Sequence, residues 1–154
     1  MRWQPQILRR SGTALVETAI TITVLLSLLL GSLDLGVAVF RQHALSQAAR
    51  QGIRKAIVHG SLAPAGWNGG SWGPGTYGPV AATDTDPKAQ AIAPFLTGMD
   101  PSTVTVTYTW PDGKNTAEKR VQVSLSTTWT PILGFVFGSS PVTITASSEM
   151  QIAH

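Results

Sequence analysis

The residue types able to do chemistry are few in this chain, and most stand alone. Glu17 is a carboxylate placed five residues after Gly12, just inside an apolar stretch. A carboxylate at a helix N-terminus gains about 0.3–1 kcal/mol from the helix dipole. An unpaired one at membrane depth costs several times that, so Glu17 either snorkels to the headgroups or meets a partner. Gly69-Gly70-Ser71-Trp72-Gly73 spells a nucleophile elbow, in which a serine on a strand-to-helix turn attacks a carbonyl. No strand precedes it, no helix follows, and the one histidine downstream is the terminal His154. Gly73, Gly75 and Gly78 have dinucleotide-fingerprint spacing, again without strand, helix or acid. Asp84 and Asp86 form a bare pair that reads as a turn and a helix cap. His43 and His59 stand at opposite ends of a helical stretch, too far apart to share a metal. Cysteine is absent, which excludes disulfides, thiolate zinc sites and cysteine nucleophiles. The expectation is no catalytic set, no metal and no cofactor; the chain is not read as an enzyme.

The elements that carry these residues divide unevenly. A chain of 154 residues allows one domain, or one small domain with an appendage. Only 12% of residues are charged, about half the usual share, which excludes long disorder. Residues 1–60 hold seven basic side chains (Arg2, Arg9, Arg10, Arg41, Arg50, Arg54, Lys55) and two acids (Glu17, Asp34). Residues 61–154 are net acidic, with four basic and six acidic side chains. The basic residues bracket an apolar segment instead of lining a face, so nucleic acid is not an expected partner.

That segment can span a bilayer. Residues 18–33 are uncharged and give about 24 Å of helix; continuing to residue 40 gives about 35 Å, against a hydrocarbon core of about 30 Å. The remaining chain is too small to wrap a helix apolar all round, so membrane lipid is the expected surrounding. Basic residues flank both ends, and charge counting alone gives no orientation. An ordinary secretory signal would have an apolar core of about 7–15 residues. Here the stretch is longer and contains Glu17, and the nearest small-x-small site is at residues 36–38.

Helical periodicity continues to residue 58, with Leu45, Ala49, Ile53, Ala56 and Ile57 on one face. A second row, Ser32, Gly36, Phe40, Ala44, Ala48, Gly52 and Ala56, is mostly small. Gly36, Ala44, Ala48 and Gly52 are therefore candidate helix-packing positions, against a neighbouring helix or against the chain's own globular part. One continuous helix over 13–58 would be about 69 Å long.

Residues 61–86 hold six Gly and three Pro, with Trp67, Trp72 and Tyr77 spaced five apart, and read as a loop. The aromatics either tuck onto the domain or meet a ligand. Asp86-Pro87 starts a short helix towards residue 96, disturbed by Pro94. Alternation predicts strands at 102–110, 120–130 and 142–152, with a turn at 111–115 and an apolar connection at 132–137. The fold class is α+β: a long N-terminal helix packed on a three-stranded antiparallel sheet.

Arg9-Arg10-Ser11-Gly12-Thr13-Ala14-Leu15-Val16-Glu17 resembles the processing site of type IV prepilins, which a membrane-embedded prepilin peptidase cuts after the glycine. With Gly31-Ser-Leu-Asp34-Leu-Gly36 and Leu45-Ser-Gln-Ala48-Ala49-Arg50-Gln-Gly52-Ile-Arg54, the chain resembles the TadE-like family over residues 9–58. These are minor pseudopilins of the tight-adherence (Tad, or Flp) pilus. Members often carry an aromatic after the acid, where this chain has Thr18.

The resemblance implies a pilin-like fold, cleavage between Gly12 and Thr13, and an assembly role for Glu17 against a neighbour's new amino terminus. It implies a cytoplasmic leader (1–12), an assembly and membrane helix (13–40), its outer half (41–60), the loop (61–86) and a head (87–154). The chain would cross the inner membrane once with its C-terminal part outside, or stand in the pilus at the cell surface. Its partners would be prepilin peptidase, other pilins and minor pseudopilins, and the pilus assembly platform. The competing reading is a membrane-anchored surface binding or adhesion module that does not polymerise.

Overall fold

The structure, a computed structural model, describes residues 8–67, 69–134 and 140–153, with side chains of the first helix described from Gly12. Residues 1–7 of the expected leader, residues 135–137 of the apolar connection, and His154 lie outside the described residues. Helix α1 runs Leu8–Ala56 without a break, 49 residues or about 74 Å. Nothing in its interior is proline, and Leu and Ala dominate it.

Beyond it come β1 (Tyr77–Ala81), α2 (Pro87–Gln90), β2 (Val104–Thr109), β3 (Arg120–Trp129) and β4 (Val142–Gln151). The strands form an antiparallel meander in the order β1-β2-β3-β4. Along β2 and β3, alternate residues are buried: Val104, Val106 and Tyr108, then Val121, Val123, Leu125 and Thr127. Their partners on the other face are Thr, Ser and Gln, as period-two patterning requires. The upper half of α1 covers the buried face through Leu45, Ala48, Ala49, Ile53 and Ala56, all at most 1% exposed. Ile57, the last member of the predicted face, is half-buried.

The α+β class is as expected, but among the described residues the sheet has four strands where three were predicted. The extra strand, β1, lies inside the stretch read as loop. Proline is excluded from central strands but tolerated at an edge, and β1 pairs only with β2. Gly78 sits at positive φ where the register shifts between Tyr77 and Val80, and a Cβ there would run into the Val106 carbonyl oxygen. Only glycine fits this bulge.

The short helix also ends earlier than residue 96. The Pro94 ring would clash with the carbonyl four residues back, at Gln90, and α2 stops there. A separate 3-10 turn follows at Ala93–Phe95.

Candidate functional site: the bare helix and its collar

Among the described residues, the head does not cover the lower part of α1. Residues 12–29 are exposed apart from half-buried Ser27, with Leu15 72% and Leu28 69% exposed. Within Gly12–Ala56, an 18-residue window reaches a mean hydropathy of 2.2 with 6% of it buried. The helix is thus long and apolar enough to cross a membrane.

Four hydroxyls in this stretch are internally satisfied. Thr18, Thr21, Thr23 and Ser27 each donate at 2.8 Å to the carbonyl four residues back. No hydroxyl of these four therefore needs a partner outside the helix, which suits an apolar surrounding. Glu17 is exposed on the same stretch, and with Gly12, Thr13, Val16 and Ile20 it lines one shallow groove along the helix. Among the described residues its carboxylate makes no ion pair.

Contact with the head begins near Leu30 and Gly31, both half-buried. Leu133 leans onto the helix there, with Cδ1 3.4 Å from where a Cβ on Gly31 would stand. One turn higher, Asp34 is 7% exposed, and its two carboxylate oxygens accept the backbone N–H groups of Ile132 (2.9 Å) and Leu133 (2.8 Å). A tight turn, closed by Gly134 N–H donating to the Pro131 carbonyl, presents those donors.

Two turns above, the Arg41 guanidinium lies 5.7 Å from the centre of the Trp129 ring. Gln42 Nε2 donates to the Thr145 carbonyl at 3.1 Å. Together these contacts form a collar that ties α1 to the lower ends of β3 and β4. Asp34 is the residue that sequence patterns left without a role. Its signal was the same oddity that singled out Glu17, an acid alone in an apolar run.

The candidate packing positions separate along the helix. Gly36 is open, with nothing within 4 Å of an added Cβ, and Ala44 is half-buried. Ala48 is fully buried, and Gly52 lies so close to Ile92 that a Cβ would stand 2.9 Å from its Cγ1. Gly12, Thr13 and Glu17 are far below the head, on the bare stretch.

At the upper end, the three aromatics of the Gly-rich loop have different settings. Trp72 is 1% exposed and stacks on His59 at 4.3 Å, Tyr77 is half-buried, and Trp67 is 52% exposed. His59 Nδ1 donates to the Gly70 carbonyl at 2.6 Å. Asn115, read only as part of a turn, joins this region: it donates to the His59 carbonyl and Ser71 Oγ and accepts from Trp110 Nε1. Ser71, the would-be nucleophile, thus serves as a hydrogen-bond acceptor for Asn115.

Asp86 caps α2 by accepting Lys88 N–H, and Asp84 accepts Asp86 N–H, so this pair makes a turn and a cap. His43 is exposed on α1 while His59 is buried beyond its end. Among the described residues no group of three or more His, Cys, Asp or Glu could hold a metal. At the turn after β2, Arg120 binds Asp112 (2.9 Å) and Glu149 (3.2 Å). Its hydrogen bonds hold the Asp112 carboxyl down at about 2.

Compared with known proteins, residues 12–54 match the model of the family described as TadE-like protein. No curated protein and no solved structure matches the chain.

Proposed function

We propose that this chain with a TadE-like segment is a minor pilin-like subunit of a Tad-type pilus, processed after Gly12 and held in the inner membrane before assembly. The observation that carries the reading is the bare, apolar stretch at 12–29, which holds both Gly12 and Glu17 and falls within the matched segment. A helix half packed into its own head and half uncovered suits a subunit that exchanges lipid for neighbouring helices.

In this reading the new amino terminus at Thr13 is cationic, and the Glu17 carboxylate of an adjacent copy pairs with it. The pair satisfies a charge that is otherwise costly in an apolar surrounding. Prepilin peptidase makes the cut, and the other partners are pilins, minor pseudopilins and the assembly platform. No step requires a cofactor on this chain.

The test is intact-mass and peptide mass spectrometry of the protein extracted from membranes. A mature chain starting at Thr13 is expected. A Met1 terminus in cells with active prepilin peptidase, or a start near Val39, would remove the reading. Glu17→Ala is expected to leave the protein in the membrane but exclude it from pili, read by immunoblotting of sheared filaments.

One observation favours a second reading, an anchored binding module. Trp67 and Leu62 are exposed together in the upper loop, 52% and 76%. In that case Trp67→Ala removes binding to the cell's target surface, while Glu17→Ala has no effect.

A further inference from the structure

Building on the reading of α1 as a membrane helix, we infer that the turn at residues 131–134 is a lipid-contacting foot. It sits at the boundary between acyl chains and headgroups on the side that carries the head, and Asp34 holds it there.

The first argument is one of level. The bare stretch 12–29 is about 27 Å long, slightly short of a hydrocarbon core of about 30 Å. Filling that thickness requires the next turn of helix, residues 30–33, to lie at membrane depth as well. Leu133 packs on this turn, over Gly31. The foot therefore shares the level at which the apolar core ends.

The chemistry of the foot fits that level. Ile132 is 56% exposed, and Leu29 and Leu33, on the turns of α1 just below Asp34, are 53% and 59% exposed. These side chains suit acyl chains, but a non-helical turn there would leave N–H groups without water to bind. Asp34 supplies the acceptors for both Ile132 and Leu133. The benefit is mutual, because two donors on one carboxylate also offset the cost of placing a charge beside lipid.

The residues just above carry the signature of a headgroup zone. Arg41 stands about 10 Å above Asp34 along the helix, its guanidinium over the Trp129 ring. A half-buried tryptophan with a cation beside it is the pairing found where the bilayer meets water. Trp129 lies two residues before the foot, so β3 delivers both.

The experiment uses the full chain, which has no native cysteine. Single variants Ile132→Cys, Leu26→Cys and Ser147→Cys carry a nitroxide and are reconstituted in phosphatidylcholine–phosphatidylglycerol vesicles. Collision with oxygen and with a water-soluble nickel chelate reads depth. The oxygen-to-nickel ratio at 132 is expected several-fold above that at 147, near the value at 26. Adding Asp34→Asn to the Ile132→Cys chain is expected to move 132 towards 147, while the spectrum at 147 in the same background stays unchanged.

Nickel access at 132 equal to that at 147, with 26 still shielded, overturns the foot and leaves the membrane helix standing. Nickel access at 26 overturns the membrane reading itself. Exclusion of both reagents at 132 overturns lipid as the occupant in favour of a protein surface. No response to Asp34→Asn overturns the role given to Asp34.

Discussion

Asp34 and Glu17 stand about 26 Å apart on one helix, and their surroundings differ in kind. Asp34 is enclosed by its own chain, with two backbone donors on its two oxygens. Glu17 is exposed on the bare stretch. Their truncations should therefore separate. Asp34→Ala leaves two N–H groups unpaired, one of them buried, and is expected to destabilise the head by about 1–3 kcal/mol. Glu17→Ala touches nothing in the head, and its effect on unfolding should stay within about 0.5 kcal/mol. Thermal unfolding of both variants in the same detergent checks this.

A second residue-scale effect concerns acid. Asp112 is held at about 2 by Arg120, below its ordinary 3.8. A depressed folded value means the contact adds stability above about pH 4 and loses it as pH falls through about 2. The pair is exposed, so the effect is small. Asp112→Asn should be slightly less stable than the parent at pH 7, and the difference should vanish below pH 2.

Among the elements, the packing of α1 against the segment after α2 is sensitive to volume. Gly52→Val pushes a branched side chain into Ile92 and the Tyr108 hydroxyl. Overpacking of this sort costs about 1–3 kcal/mol, and calorimetry should show a lower unfolding midpoint.

The elements differ in how legible they were. Val-Thr alternation in β2 and the 3.6-residue spacing of Leu45, Ala49 and Ile53 reported their own burial, because a single buried face imposes its period on the sequence. β1 was hidden because Gly78 and Pro79 read as breakers, and their tolerance depends on lying at a sheet edge, which is a property of topology. Asp34 was hidden for another reason. Its partners are backbone N–H groups 98 and 99 positions away, and such donors carry no side-chain signature. Glu17, Gly12 and Thr13 were singled out as a motif because their spacing is local, and their role is a proposal.

At the scale of the whole molecule, one helix serves two surroundings with the collar between them. Below Leu30 the stretch is apolar and uncovered; above Gln42 it supplies one side of the core. The head's stability should therefore be nearly independent of the lower stretch. A chain starting at Leu30 keeps the described contacts between α1 and the sheet. Its unfolding midpoint, followed by circular dichroism, should lie within a few degrees of the full chain in the same detergent.

The unbroken course of α1 through the collar makes it a lever. From Leu30 to Ala56 the arm is about 40 Å long, and it is clamped to the sheet along most of that length. A transmembrane tilt of about 20° would swing the far end sideways by about 14 Å, carrying the head with it. If α1 spans a bilayer as proposed, bilayer thickness would thereby set where Trp67 points, and a thinner membrane would lean the loop further over.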